Sequence, residues 1–380
     1  MDFELSNEQQ LLKDSVNRLI TENYDLKSRQ TIIQSANGYS QEMWQQLADL
    51  GLLGLSFSSE HGGFDGGPVE QMIVMEAFGA GLVIEPYLST VILGGNALKL
   101  SANGSNKSEL LKKISTGDHL IAFAHSERHS RYQLSHVKTK AHVENNNWVL
   151  NGEKTTVIHA GVADTLIISA RTKGTNDSTD GISLFLVPAK TNGVTLRSYP
   201  TIDGMRATDI QLSNVSLPEN ALLGKCDNSY LIIENIEQQG IAAVAAESVG
   251  AMQCVLDMTV EYLKTRTQFG RPIGDFQVLQ HRAADMYVAV EEARSIAIYA
   301  AMMVMEVDIE KRRHAMSTTK AQIGLSCREV GQGGIQLHGG IGITEEYAIG
   351  HYFKRLSMIE RQFGDFEHHM TILSMMDTPE

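Results

Sequence analysis

One long apolar stripe constrains the chain more than any other feature. Between Leu231 and Thr265, apolar residues recur at positions 241, 245, 249, 252, 256, 260 and 263, a spacing that keeps them on one helix face. Gln277–Met305 and Ala315–Gln336 read as further long helices, so the C-terminal part predicts a helical bundle. The stripe ends in the string YLKTRTQFGRPIGDFQ, a basic turn. Within it Pro272 fixes its local φ, and Gly270 and Gly274 permit unusual backbone angles. Such a turn presents guanidinium and amide groups in a fixed frame, which suits a phosphate-bearing ligand. Taken alone, it is equally a capped inter-helix turn with surface arginines.

The rest of the chain divides in two. Residues 1–117 read as helical. Ser6 or Asn7 can cap a helix carrying Leu11, Leu12, Val16, Leu19 and Ile20 at helical spacing. Met43–Leu53, Val69–Phe78 and Leu88–Leu98 continue the pattern, and the glycines of Glu60–Pro68 mark a loop. Residues 118–225 change character. Asp118–His125, Trp148–Val157, Thr165–Ala170, Ile182–Val187, Val194–Tyr199 and Thr208–Val215 are short and β-rich, an antiparallel pattern, with a turn expected at Asn151-Gly152. Residues 226–380 are helical again. The expected class is α+β, mostly α, in three domains: 1–117, 118–225 and 226–380.

Composition removes several function classes. The net charge of −13 argues against nucleic acid or an anionic membrane as partner. Three cysteines without CxxC spacing fit a reducing cytoplasm and offer no zinc site, and His368 and His369 have no metal-ligand spacing around them. The N-terminus MDFELSNEQQ is acidic and polar, unlike a signal peptide, and no membrane span is expected.

Two strings together point to a family. Arg266–Gln277 resembles the RxxFGxxIxxFQ signature of acyl-CoA dehydrogenases, and Gln336–Tyr347 their QxxGGxGxxxEY segment. The resemblance runs over essentially the whole chain and is nearest the small-subunit branch of pimeloyl-CoA dehydrogenases. It implies the acyl-CoA dehydrogenase fold, with an N-terminal helical domain, a middle β-domain and a C-terminal four-helix bundle. It also implies FAD as cofactor, an acyl-CoA substrate oxidised to a trans-2-enoyl-CoA, and an electron-transfer flavoprotein as acceptor. Arg266, Gln268, Phe269 and Gln277 then map onto diphosphate and adenosine contacts. Gln336, Gly339 and Gly340 map onto a loop that meets the diphosphate from a neighbouring subunit, so a homotetramer, or a heterotetramer with a homologous large subunit, is expected. In the β-domain, FAHSE at Phe123–Glu127 is similar to the family's YxxTE, which gives Ser126 the flavin's pyrimidine edge. Thr156 opens TVIH where the family has W-I-T/S-N; the Trp and the hydroxyl two residues later are absent.

The catalytic base departs from the pattern. The family's C-terminal Glu position falls on Phe363, and its alternative position, on the long helix, falls on Gly240. Neither can take a proton. Glu247 lies further along that helix and, with Asp257, is its only charge from Ile241 to Met258. It is either a general base in an apolar setting or a structural carboxylate paired with an arginine such as Arg282 or Arg294. Asp365, in QFGDFEHH, is the second candidate. Two alternatives to a self-sufficient dehydrogenase follow: a base-lacking subunit that completes the FAD site, or a flavin monooxygenase or oxidase on the same fold. The basic cluster Arg128, His129 and Arg131 is a solvated loop or a contact for CoA phosphates or a distal carboxylate.

Overall fold

The computed structural model of the chain describes residues 4–101 and 107–376. The first helix, α1 (Asn7–Asn23), starts where the sequence places it. The Ser6 hydroxyl accepts the Gln9 N–H at 3.2 Å, and the Gln9 side chain returns to the Ser6 N–H at 3.0 Å, a reciprocal cap. α2 (Leu26–Gln34), α3 (Gln41–Asp49) and α4 (Pro68–Gly81) follow. The expected Met43–Leu53 helix is cut at Asp49, because Gly51 turns left-handed at φ 75° and a short 3-10 turn, Leu52–Gly54, takes over. Leu88–Leu98 is not regular α either. Leu88–Gly95 is a fully buried π-helix that runs into α5 (Asn96–Leu100), and α6 (Lys107–Ser115) comes next.

The sheet has eight strands: β1 (Ile121–Ala124), β2 (Lys140–Glu144), β3 (Asn147–Ile158), β4 (Thr165–Arg171), β5 (Ile182–Pro188), β6 (Val194–Pro200), β7 (Arg206–Pro218) and β8 (Leu222–Leu223). Their order is β6-β7-β3-β2-β4-β5-β8, with β1 alongside β4. Two pairings, β1–β4 and β2–β4, are parallel, so the sheet is mixed where a purely antiparallel one was expected. The turn expected at Asn151-Gly152 is not there. β3 runs straight through it, with a register shift between Leu150 and Gly152. The hairpin turn lies at Asn145-Asn146 instead, where both residues have positive φ, 48° and 63°. That turn closes on β2, a strand the sequence reading did not include: it alternates polar and apolar residues over only five positions, and of these only Ala141 is buried. Leu150, Leu166, Ile168, Phe185 and Ile210 form the core of the sheet, with Trp148 edge-on to Phe185 at 5.1 Å.

The C-terminal part holds α7 (Tyr230–Thr265), the two-residue strands β9 (Thr267–Gln268) and β10 (Arg271–Pro272), α8 (Gln277–Met303), α9 (Ile309–His338), α10 (Ala348–Arg361) and α11 (Phe366–Met376). α7 is long and apolar enough to cross a membrane, but 72% of its most apolar window is buried in the protein, as in a core helix. Two compact units emerge. A helical unit takes the described residues of Met1–Thr31, Gly67–Val83 and Ile241–Glu380; a β-unit takes those of Ile32–Gly66 and Ile84–Gly240.

Candidate functional site

In the β-unit, the chain leaves β1 through His125, Ser126 and Glu127. His125 and Glu127 are buried while Ser126, between them, is exposed. The two buried neighbours are tied to one cation. Lys154, fully buried on β3, donates from Nζ to the His125 carbonyl at 3.0 Å, Glu127 Oε1 at 2.8 Å and Ser169 Oγ at 3.0 Å. Glu127 also accepts the Lys138 and Thr139 N–H groups at 2.8 and 3.0 Å. Burial pushes the Glu127 pKa up, but the Lys154 charge and these donors hold it below the usual carboxylate value. Burial pulls the Lys154 ammonium down, against Glu127. His125 Nδ1 lies 2.9 Å from Ser169 Oγ, and burial with the Lys154 charge brings the His125 pKa down to about 3.

Ser126 is tied to the residue next to Thr156, the Thr155 N–H donating to the Ser126 carbonyl at 2.9 Å. Thr156 is exposed with φ 56°, on a bulge where the β3–β7 register shifts between Lys154 and Val157. Asp209 on β7 fastens that bulge: its Oδ1 accepts the Thr155 hydroxyl at 2.7 Å, the Tyr199 hydroxyl at 3.2 Å and the Thr156 N–H at 3.3 Å. The Thr155 hydroxyl, outweighing burial together with the other donors, lowers the Asp209 pKa. Neither Lys154 nor Asp209 stands out in the sequence, where each is one charge in a polar strand. Arg128, His129 and Arg131 lie on an exposed loop, with the Arg128 charge facing Asp209.

In the helical unit, α7 ends in the hairpin β9–β10, with Gln268 opposite Arg271. Phe269 and Gly270 form its turn at φ 56° and 80°. Arg266, Gln268 and Gln277 are exposed, and Phe269 is 91% exposed. The Arg271 guanidinium stacks over the Phe276 ring at 4.2 Å, and Phe269 meets Phe276 edge-on. α9 ends in His338, buried between Tyr262 of α7 and Tyr347, with ring centroids at 4.5 and 5.2 Å. Its Nδ1 lies 2.8 Å from the Gly334 carbonyl. This stack joins the ends of α7 and α9, so one chain presents the Arg266 turn and the Gln336–Gly340 loop together. Gln336, Gly339 and Gly340 are exposed, and a Cβ on either glycine, or on Gly270, would meet nothing within 4 Å. Bare backbone, a free guanidinium and an exposed aromatic ring fit the diphosphate and adenine of FAD.

The two acidic candidates are both engaged. Glu247 and Arg355 of α10, each with its side chain 4% exposed, form a bidentate pair at 2.5 and 2.7 Å. The partner is therefore neither Arg282 nor Arg294; Arg294 pairs with Glu76 at 2.7 Å. Glu247 sits where α7 and α4 cross backbone to backbone: a Cβ on Gly79 would lie 1.7 Å from the Glu247 carbonyl oxygen, and one on Gly250 1.9 Å from that of Glu76. Asp365 caps α11, its Oδ1 accepting the His368 N–H at 3.0 Å. Phe363 is left-handed at φ 61° and packs against a cluster that includes Ile241, Ala300 and Met316. Its carbonyl accepts from His369 Nε2 at 2.8 Å, and the Gly364 carbonyl accepts from buried Lys320 at 2.7 Å. Burial takes His369 down to about 3. Arg355 and Lys320, the cations that hold these segments, were not anticipated from sequence.

Known proteins agree with this architecture. The acyl-CoA dehydrogenase N-terminal, middle and C-terminal domain families match residues 6–118, 122–215 and 232–376. A probable acyl-CoA dehydrogenase of Bacillus subtilis, YngJ, is 28% identical, with 97% of each chain covered. The mitochondrial 2-methylacyl-CoA dehydrogenase of Solanum tuberosum is 30% identical over 96% of this chain and 89% of its own. The ChsE4-ChsE5 complex of Mycobacterium tuberculosis contains a chain of the same fold, at TM-score 0.89 and 23% identity with both chains fully covered. Fold, strings and relatives converge: the chain belongs to the acyl-CoA dehydrogenase family of FAD-dependent oxidoreductases.

Proposed function

We propose that this chain is the FAD-holding, base-lacking subunit of an acyl-CoA dehydrogenase that works with a homologous chain carrying the catalytic carboxylate. One observation carries the reading: both acidic candidates already have structural employment. α,β-Dehydrogenation needs a carboxylate with a lone pair directed at the substrate's α-proton. Both Glu247 oxygens face the Arg355 guanidinium, and Asp365 closes a helix end. Arg266, Gln268, Phe269, Gln277, Gln336, Gly339 and Gly340 would hold the adenosine diphosphate part of FAD, and Ser126 and Thr156 the edge of its ring. The bound flavin supplies the hydride acceptor for the substrate's β-carbon.

Several named relatives support the finer points. ChsE4-ChsE5 and the steroid dehydrogenase Tcur3481-Tcur3483 are both two-chain assemblies by name. The pimeloyl-type resemblance is what supports a dicarboxylyl or bulky acyl group here; a glutaryl-CoA dehydrogenase holding glutaryl-CoA shares the fold. An electron-transfer flavoprotein as acceptor is supported by a relative that is a subunit of a caffeyl-CoA reductase-Etf complex. The test is co-expression with a homologous chain that has Glu at the position of Phe363. The expected product is a stable mixed oligomer, a dimer or larger by light scattering, with a flavin spectrum and acyl-CoA-dependent dye reduction. Absence of flavin after reconstitution with excess FAD would overturn the proposal.

A further inference from the structure

Lys154 and Glu127 form a buried ion pair in the β-unit. Lys154 is 1% exposed and Glu127 5%. Desolvating an ion pair to that degree costs several kcal/mol, and replacing it by apolar side chains of similar volume is often neutral or stabilising. Stability alone therefore does not explain it. Its contacts are specific: of the three Lys154 bonds, one goes to the main chain just before Ser126 and one to the side chain just after it. The third goes to Ser169 Oγ, which also meets His125. Both neighbours of Ser126 are thus pulled inward by one ammonium group, which leaves Ser126 the only exposed residue of the three. The Thr155 N–H holds the Ser126 carbonyl from the same strand, one residue beyond Lys154.

We infer that Lys154, with Glu127, is a positioning residue that fixes the Ser126 hydroxyl for the flavin edge. This rests on the assignment of Ser126 to the flavin. An exposed hydroxyl on an unbraced segment would sample many directions, and each would dilute a single hydrogen bond; two inward anchors remove that freedom before the ligand arrives. His125 joins the network uncharged, its pKa near 3, so no second cation competes with Lys154 for Glu127.

A double-mutant cycle on the full-length, FAD-depleted protein in its purified assembly tests this, read as the Kd for FAD. Lys154→Met with Glu127→Gln removes both charges, while Gln keeps an acceptor oxygen for one of the Lys138 and Thr139 N–H groups. Ser126→Ala removes the hydroxyl. Each change is expected to raise Kd about tenfold, the size of one hydrogen bond. Combined, they are expected to give the same tenfold loss, because the network acts through Ser126. A combined loss of about a hundredfold, or an unchanged Kd for the Lys154/Glu127 variant, would overturn the role of Lys154. An unchanged Kd for Ser126→Ala alone would remove the Ser126 assignment beneath it. Should the charge-free variant not fold, Ser169→Ala, which leaves the ion pair intact, reads the same coupling: its smaller loss must vanish in the Ser126→Ala background, and persistence there counts against the inference.

Discussion

The two candidate cofactor surfaces of this chain are built on opposite plans. In the β-unit, the exposed residues Ser126 and Thr156 rest on polar anchors: buried Lys154, Glu127 and Ser169 under one, half-buried Asp209 beside the other. In the helical unit, the Arg266 turn and the Gly339-Gly340 loop project outward. Aromatic stacking at Tyr262, His338 and Tyr347 supports them, and open space lies over the glycines. The first surface is finished before a ligand arrives; the second offers donors that only a ligand or another chain can satisfy. Substitutions should therefore separate cleanly into those that cost stability and those that cost FAD.

The largest stability loss is expected deep in the helical unit, at the Glu247–Arg355 pair that joins α7 to α10. Glu247→Gln leaves the Arg355 guanidinium buried without its counter-charge. It should cost about 3–5 kcal/mol in denaturant unfolding. Per folded molecule, turnover of the mixed complex should stay close to wild type. A stable variant with abolished turnover would instead return Glu247 to the role of base. Next in size, Arg266→Ala should weaken FAD binding by about 1.5–3 kcal/mol, the worth of a charged hydrogen bond, and leave the unfolding of the FAD-free protein unchanged. An equal loss of FAD-free stability would mean that the turn is a packing element, which breaks the contrast with the β-unit.

The smallest expected effect, per pH unit, comes from two of the buried histidines, one in each unit. His125 and His369 fall from 6.5 to about 3 on burial. The folded state holds them neutral, while the unfolded chain protonates them below about 6.5, so the unfolded state binds more protons between the two values. Stability is then fully present above pH 6.5 and falls as the pH drops through that window, by about 1.4 kcal/mol per pH unit for each group. His125→Gln and His369→Gln should each flatten the acid limb of a stability–pH curve; an unchanged slope in both would refute the assignment.

How much was readable in advance follows the same divide. The helical unit's candidate cofactor surface lies within two contiguous strings, Arg266–Gln277 and Gln336–Tyr347, so the resemblance to the family's motifs pointed to it where spacing alone left it open. The helices were legible by period: the Ser6 cap and α7 fell where expected. The β-unit's anchors come from separate strands, Lys154 from β3, Ser169 from β4 and Asp209 from β7, and only pairing brings them together. β2 was missed because its polar–apolar alternation spans only five residues with Ala141 and Val143 as the apolar ones, and the hairpin was misplaced because Asn-Gly is the stronger turn signal than Asn145-Asn146. Arg355 lies 108 residues from Glu247, a distance over which no periodicity argues. Sequence could say that Glu247 wanted either a proton or an arginine; only packing could choose.

The central claim is that this chain holds FAD but does not supply the proton acceptor. Anaerobic mixing with acyl-CoA, followed by flavin bleaching, tests it most directly. FAD-loaded chain alone should keep its oxidised flavin spectrum, and the assembly with a homologue carrying the usual Glu should bleach on the turnover timescale. Rapid bleaching of the chain alone, lost in Glu247→Gln or Asp365→Asn at unchanged FAD content, would contradict the account.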